Sequence, residues 1–415
     1  MIWFAAVAWT LLGTVVVVLA VLAVRFATHY RQPMASIADD QLPAVGVLMT
    51  LRGADPFLEK CLRQLFCIDY PRHQIRIIVD SDLDPAFALV NRISDELDAS
   101  HVGIEILTEH GENCSLRMSA LNQGVAGFSD EVEIIAWLDA DATPYPGWLR
   151  DLVVPFADAK VGAACGYRWF VPPDRKPGSL VRYLWNAASI TQMRFFQIGW
   201  GGSYAIRRSV FNELEIGEKW QHVLFEDTFT TNEVLKGGYE FRFVPGVTMD
   251  NHESTDLAGC VRFLSRQLLN CRLYHRAWPK VSLLALLTLL PIPINLALPV
   301  VAAWFGEWAL VGWSAVAWAV YGLGLGIFNL RVESQIRQRL EERGVRSARF
   351  SLHAVWTAPL TSIVYAVALW NSIRQREVNW RGIRYQFQSG TDVRRLNYEP
   401  FVPEPVEGSA EPASI

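Results

Sequence analysis

Residues 133–141 read Glu-Ile-Ile-Ala-Trp-Leu-Asp-Ala-Asp. The apolar run predicts a buried β-strand, and Asp139 and Asp141 can turn toward one pocket where the chain leaves the sheet. Carboxylate oxygens at this spacing suit Mg²⁺ or Mn²⁺, and such a metal ion suits a diphosphate. The competing interpretation is an acidic loop before a helix that Pro144 and Pro146 help to start, and an isolated Asp-x-Asp is more often such a loop.

Apolar runs and amphipathic segments alternate along the chain before this stretch. Further strands are predicted at 45–50, 75–79 and 104–107, and helices at 56–66, from Asp84 onward and at 115–125. Strands interleaved with helices predict an α/β domain whose mainly parallel sheet is covered on both faces. Ligands of such sheets bind outside the carboxyl ends of the strands.

Polar residues gather at those predicted strand ends. Thr50 and Arg52 follow the first strand, and Asp80, Asp82 and Asp84 follow the second. Together with the Asp-x-Asp pair they form three clusters on one rim, which favours a ligand site over solvated loops. No Gly-x-Gly-x-x-Gly or Walker A sequence follows a predicted strand, which argues against a dinucleotide enzyme and an ATPase.

The chain has 415 residues, of which 51% are hydrophobic, and the apolar residues are concentrated in blocks. Residues 1–24 are long enough to span a bilayer, since about 20 residues cover its hydrocarbon core. The stretch lacks a basic n-region and a convincing cleavage site, which predicts a retained anchor and not a cleaved signal peptide. The basic flank at 25–31 predicts that its C-terminal end faces the cytoplasm. Apolar stretches near 281–303, 308–329 and 352–371 predict about three C-terminal membrane-associated helices. Prolines make the first of these the candidate for a re-entrant segment.

These features predict six regions. They are an anchor (1–25), a catalytic domain (40–260), an interfacial helix (261–280), membrane segments (281–372), a basic juxtamembrane segment (373–398) and a disordered tail (399–415). The net charge of −4 comes without a basic stripe, so nucleic acid is not expected as a partner. The six cysteines show no Cys-x-x-Cys spacing, which argues against a zinc site or a disulfide framework and fits a cytosolic domain.

Four motifs, in this order, resemble the family 2 glycosyltransferases, and the ceramide glucosyltransferase-like group among them. They lie at residues 69–86, 117–124, 138–141 and 200–207, with Phe225-Glu226-Asp227-Thr228 behind the last. The resemblance covers roughly residues 43–275 and implies a GT-A fold, a Rossmann-like α/β domain. One departure lies at residues 265–272, where Leu269-Asn270 stands in place of the Arg-Trp pair of related enzymes.

The resemblance implies a metal-dependent, inverting hexosyltransferase that uses a nucleotide-diphosphate sugar, with a UDP-sugar as the first expectation. Asp227 would be the base with Glu226 beside it, and Asp139 and Asp141 would hold Mg²⁺ or Mn²⁺. Arg272 could supply the charge of the replaced pair. The predicted substrate-binding residues are Thr50, Arg52, Asp82, Asp84, Arg117, Asn122, Asp139, Gly201, Gly202, Ser203, Arg266, Gln267 and Arg272. Further candidates, each more often structural, are His222 and His252 for the acceptor and Trp137, Trp169 and Trp200 for sugar stacking.

A catalytic domain between an anchor and a C-terminal membrane bundle suits a lipid hydroxyl presented at the bilayer surface. The expectation is therefore an integral membrane protein with a cytoplasmic catalytic domain, in a bacterial inner membrane, acting on a lipid acceptor. Two alternatives remain open. A processive polysaccharide synthase predicts more membrane spans and an intact Arg-Trp pair, and a non-catalytic scaffold predicts loss of the acids. Residues 378–385 either belong to the resemblance or form a basic interfacial anchor.

Overall fold

The computed structural model describes residues 1–32, 37–345, 354 and 356–402. The strands are β1 (Val45–Leu51), β2 (His73–Val79), β3 (Val102–Ile106), β4 (Ile134–Leu138), β5 (Val161–Phe170), β6 (Ser203–Arg207), β7 (Glu240–Asn251), β8 (Glu377–Trp380), β9 (Ile383–Phe387) and β10 (Val393–Arg395). The helices are α1 (Ile2–Tyr30), α2 (Leu58–Leu65), α3 (Pro85–Glu96), α4 (Leu116–Ala126), α5 (Trp148–Val153), α6 (Pro177–Phe196), α7 (Arg208–Glu213), α8 (Ile216–Trp220), α9 (Glu226–Lys236), α10 (Leu257–Tyr274), α11 (Trp278–Leu289), α12 (Pro291–Trp304), α13 (Trp308–Glu342) and α14 (Ala358–Arg374).

The main sheet has the strand order β3-β2-β1-β4-β6-β5-β7. Strands β1 to β4 run parallel, β5 pairs in parallel with β7, and β6 runs antiparallel to both β4 and β5. This confirms the predicted mainly parallel α/β sheet. The strand order reverses between β1 and β4, and a ligand of such a sheet binds at this switch point. The turn after β1 and Asp139 after β4 therefore face the same crevice.

The sequence signals at β4 and α3 act as expected. Every residue of β4 is buried, because a central strand covered on both faces needs a continuous apolar run. Helix α3 starts at Pro85, and the Asp84 side chain accepts a hydrogen bond from the Ala86 amide. Pro lacks the amide hydrogen that would be unsatisfied at this position.

Three helices of the described residues are long and apolar enough to cross a membrane, by length and composition. They are α1 (Ile2–Tyr30), the stretch formed by α11 and α12 together (Trp278–Trp304), and α13 (Trp308–Glu342). The N-terminal helix was predicted, but two C-terminal helices qualify where about three were expected. Residues 358–371 of the third apolar stretch lie in α14, which packs against α10 and α6. The proline-containing stretch 281–303 lies within the second candidate, and its re-entrant course stays a prediction.

The C-terminal strands form a second, antiparallel sheet in the order β10-β9-β8. The Leu116 amide at the start of α4 donates to the Tyr385 hydroxyl (3.2 Å), and Arg381 donates to the Arg52 carbonyl (2.7 Å). Residues 373–398, predicted as a basic juxtamembrane segment, thus cover the crevice with a small folded cap. Of the tail predicted to be disordered, residues 399–402 are described and pack there too, while 403–415 lie outside the described residues.

Candidate active site

A polar cavity opens at the carboxyl ends of β1, β2 and β4. Its walls come from the turn after β1, the starts of α4 and α9, one face of α10 and the C-terminal cap. The predicted site residues in this wall are Thr50, Arg52, Arg117, Asp139, Gly201, Glu226, Asp227, Arg266 and Gln267. The fold therefore brings together side chains that are far apart in the sequence.

Arg117 connects the acids of this cavity. Its Nη2 lies 2.7 Å from Asp139 Oδ1, and its Nε lies 2.8 Å from Glu226 Oε1. A third contact runs from Nη1 to the Thr50 hydroxyl (3.3 Å). Burial alone lowers the pKa of Arg117, but Asp139 and Glu226 outweigh it and hold that pKa above its ordinary value. The ion pairs thus keep a buried cation in the centre of the cavity.

Glu226 and Asp227 form the first turn of α9, where the helix dipole favours acidic side chains. Burial raises the pKa of Glu226 to about 7, with Arg117 acting against the shift and Asp227 adding to it. Glu226 therefore holds its proton more strongly than an exposed glutamate does, chiefly because it is buried.

Hydrogen bonds on both oxygens fix the Asp227 carboxylate. Oδ2 accepts from the Gly201 amide (3.0 Å), and Oδ1 accepts from the Thr228 amide (2.6 Å) and from Asn270 Nδ2 (2.7 Å). A Cβ at position 201 would lie 2.5 Å from Glu226 Oε1. Glycine at this position lets the backbone approach both acids closely.

Arg168 and Arg266 also face the cavity. Arg168 on β5 pairs with Asp141 (3.5 Å) and lies over the Trp200 ring, 5.6 Å from its centroid. Arg266 on α10 forms no ion pair with any residue that the structure describes. Burial, followed by the positive charges of Arg168 and Arg381, lowers the pKa of Arg266 to about 10. A cation in the cavity wall without a carboxylate partner among the described residues can pair with a negatively charged ligand.

The two acids of the Asp-x-Asp pair occupy different positions, one in the cavity wall and one in the protein interior. Asp139 lines the cavity, whereas Asp141 is buried, accepts a hydrogen bond from Asn251 (3.2 Å) and lies outside the wall. Burial raises the pKa of Asp141 above its ordinary value, against the effect of Arg168. The Oδ1 atoms of both aspartates lack a hydrogen-bond partner, although that of Asp139 faces Arg117.

Within the described ranges, no group of three or more His, Cys, Asp or Glu side chains could hold a metal ion. Mg²⁺, however, is usually bound by one or two carboxylates together with substrate phosphates. The unpartnered Oδ1 of Asp141 and the cavity-lining carboxylate of Asp139 fit that manner of binding, in which the diphosphate completes the ligand set. Asp139 and Asp141 would hold such an ion.

Three predicted substrate-binding side chains form structural hydrogen bonds elsewhere, and a fourth points to solvent. Asp84 accepts from the Gly53 and Ala86 amides (2.7 and 2.8 Å), so it shapes the turn after β1. Asn122 donates to the Gly217 carbonyl (2.9 Å), and Ser203 accepts from Trp148 Nε1 (2.9 Å). Asp82 is exposed to solvent and lies outside the cavity wall.

Two further predicted substrate-binding residues, Arg272 and Gly202, form hydrogen bonds with backbone groups. Arg272 donates to the Ile373 and Gln375 carbonyls (2.6 and 3.1 Å), so it caps the end of α14 and does not replace the missing arginine. The Gly202 carbonyl accepts from the Asp139 amide (3.1 Å) and positions that residue. Of the further candidates, Trp200 lines the cavity, while the residues outside its wall are Trp137, Trp169, His222 and His252.

Some cavity residues were not predicted as site residues. Asp80, not Asp82 or Asp84, faces the cavity and pairs with Arg52 (2.5 Å). Arg168, Asn270, Trp380 and Arg381 also line it. The acidic run after β2 signalled Asp80, but no local pattern signalled Arg168 on β5, and the stretch 378–385 with Trp380 and Arg381 was recognised without a role in the cavity.

Fold and site together indicate the class of protein: a glycosyltransferase of the GT-A fold. The model of glycosyl transferase family 21 matches residues 6–393, and the chain belongs to that family. The predicted resemblance to ceramide glucosyltransferase-like proteins is confirmed.

Two curated relatives are ceramide glucosyltransferases. That of Gibberella zeae is 31% identical over 92 residues and that of Candida albicans 28% over 96 residues. These matches cover 20% and 22% of this chain, and only 17% of the length of each relative. Among solved structures, the mannosyltransferase PcManGT from Pyrobaculum calidifontis, in complex with GDP-Man and Mn²⁺, is similar. Its TM-score is 0.58 at 18% identity, with 89% of this chain and 99% of that chain covered.

Proposed function

We propose that this protein transfers a sugar from a nucleotide-diphosphate sugar to a lipid hydroxyl at the cytoplasmic membrane face, with inversion at the anomeric carbon. The observation that carries the proposal is the polar cavity, in which Arg117 links Asp139 to Glu226 and Asp227 stands beside them. The GDP-Man and Mn²⁺ held by the similar mannosyltransferase support a nucleotide-sugar donor and a divalent metal ion. The ceramide glucosyltransferase relatives support a lipid acceptor.

The donor side of the reaction has to stabilise the leaving diphosphate. When the bond between the anomeric carbon and the phosphate oxygen breaks, the bonding electron pair stays with the diphosphate. Arg266 has no carboxylate partner among the described residues and can take up this charge directly. Arg168 lies beside it in the same wall. A divalent ion held by Asp139 and Asp141 would supply further positive charge to the phosphate oxygens.

The acceptor side has to remove a proton. The acceptor hydroxyl oxygen forms the new bond to the anomeric carbon, and its proton passes to Asp227. The three hydrogen bonds on Asp227 hold its carboxylate in one orientation, which a general base requires. Glu226 Oε1 is engaged by Arg117, so Asp227 acts alone as the base. One base without a covalent intermediate gives inversion.

The placement of the site supports a lipid acceptor and a membrane location. Helix α10 carries Arg266 and Asn270 in the cavity wall and packs against α14, and α11 follows it in the chain. The basic residues at the C-terminal end of α1, Arg25 and Arg31, support a cytoplasmic catalytic domain by the positive-inside rule. We assign the protein to a bacterial inner membrane as part of this proposal.

The test is incubation of the purified full chain with Mg²⁺ or Mn²⁺, a panel of nucleotide sugars and a total membrane lipid extract. We expect one sugar donor to give a product that extracts into organic solvent, carries one or very few sugars and shows the anomeric configuration opposite to that of the donor by NMR. A long water-soluble polymer would identify a polysaccharide synthase instead. No turnover of any donor would leave the scaffold alternative.

A further inference from the structure

A second cavity lies against the polar one. It is enclosed by residues of α1, α6, α10, α11, α13 and α14, so most of its wall belongs to the candidate membrane spans or to helices packed against them. Four residues line both cavities: Trp200, Asp227, Gln267 and Asn270. The proposed base thus stands where the two cavities meet, and we call this meeting point the junction.

The wall of the second cavity is mainly apolar, with residues such as Leu19, Leu184 and Leu325. A few polar side chains interrupt it. Gln192 and Gln267 line it, and no hydrogen bond connects either side-chain amide to a residue that the structure describes. Ligand sites combine such an apolar wall with a small number of polar groups that set orientation. An apolar cavity lined by these helices suits a hydrocarbon chain better than water or a polar solute.

We propose that the second cavity is the acceptor site, and that it holds the hydrocarbon part of a lipid alcohol with its hydroxyl at the junction. This inference rests on the proposed function. The lipid enters from the bilayer side, while the nucleotide sugar binds in the polar cavity, so the two substrates meet at Asp227 from opposite sides. The free amide of Gln267 lies at the junction and can bond to the polar end of the lipid.

A phenylalanine in the cavity wall tests this placement. Ala188 on α6 lines the cavity, and Ala188→Phe places a ring in the space assigned to the lipid chain. Ser362→Phe does the same from α14 on another wall. The matched control is Ala319→Phe, because Ala319 on α13 is exposed and lies outside the cavity wall. Thermal unfolding of each full-length variant in detergent shows whether the fold is kept.

The probe is a hexadecanol that carries a diazirine, crosslinked by light and mapped by mass spectrometry. We expect crosslinks in α6, α10 and α14 that disappear in Ala188→Phe and remain in Ala319→Phe. Transfer to lipid should fall about tenfold or more in Ala188→Phe, since each 1.4 kcal/mol of lost acceptor binding is about a factor of ten. Hydrolysis of the nucleotide sugar by water should stay within a few-fold.

The outcomes separate this inference from the proposed function. Crosslinks confined to the outer faces of α12 and α13, or undiminished lipid transfer in both Ala188→Phe and Ser362→Phe, would overturn the acceptor site. If the wild type cleaves no nucleotide sugar while the crosslinks in α6, α10 and α14 persist, the proposed function fails and the lipid site stands. Should Ala188→Phe unfold, Ser362→Phe decides the question alone.

Discussion

Asp227→Asn separates chemistry from binding at this site. The substitution keeps the size of the side chain but removes its ability to take a proton. If the amide oxygen keeps the bonds from Thr228 and Asn270, the amide nitrogen faces the Gly201 amide, which is itself a donor. One hydrogen bond is lost, at a cost of about 1–3 kcal/mol in stability for an unsatisfied buried group. The fold should therefore persist.

The loss in turnover should be larger than this local effect. A positioned base contributes about 10²–10⁴ to the rate, and at 1.36 kcal/mol per factor of ten this raises the barrier by about 2.7–5.4 kcal/mol. Donor affinity should stay within a few-fold, because the arginines that face the diphosphate are unchanged.

The assay combines release of the nucleoside diphosphate under saturating substrates with calorimetric titration of the nucleotide. The matched control is Asp82→Asn, which alters an exposed carboxylate outside the cavity wall and should change neither quantity. Turnover near the wild-type rate in Asp227→Asn would refute the role as base. A collapse of donor affinity equal to the loss of turnover would make Asp227 a donor ligand instead.

Three further predictions concern the charges of the cavity. Arg266→Gln should weaken nucleoside diphosphate binding by about tenfold or more, as expected for a lost charged hydrogen bond of about 1.5–3 kcal/mol. The control Arg262→Gln, on the exposed face of α10, should leave this affinity unchanged. Equal affinities of the two variants in calorimetry would contradict the prediction. Burial raises the pKa of Glu226 to about 7, so between its ordinary pKa and pH 7 the folded state keeps a proton that the unfolded state has lost. The free energy of unfolding that this group contributes at low pH is therefore lost as the pH rises toward 7. The melting temperature of the wild type should therefore fall relative to that of Glu226→Gln across this window, and parallel curves would count against the shift. Chelation of divalent ions should abolish turnover, and Asp139→Ala should weaken nucleotide binding in the presence of Mn²⁺. Full activity in excess chelator would exclude a role of the metal ion in turnover.

The sequence predicts the first half of the sheet well because its strands are local apolar runs with helices between them. It also predicts the acids Asp139, Glu226 and Asp227, since each lies in a short contiguous motif. The pairing of β6 antiparallel to β4 and β5 depends on contacts between distant segments, and no local period encodes it. For the same reason the cap residues Trp380 and Arg381 could not be assigned to the cavity.

Helix geometry explains the different positions of the arginines on α10. Arg266 and Asn270 are four residues apart and share one face, because an α-helix turns about 100° per residue. Arg272 is six residues from Arg266 and lies about 120° away from it on the helix surface by the same rule. It therefore points to the end of α14 and not into the cavity. The positive charge of Arg272 suggested a role in the site, but its direction on the helix surface places it outside the cavity.

The replacement of Arg-Trp by Leu269-Asn270 affects both the hydrogen bonding of the proposed base, Asp227, and the space at the junction. Leu269 is fully buried, so the first position has become part of the core. Asn270 donates to Asp227 Oδ1 and lines both cavities. An indole is far larger than an amide, and a tryptophan at this position would have its ring where the two cavities meet. The asparagine instead orients the base with a short side chain and leaves the junction open to an acceptor that arrives from the second cavity. Loss of this motif therefore does not mean loss of the catalytic machinery, since the substituted residue itself contacts the proposed base.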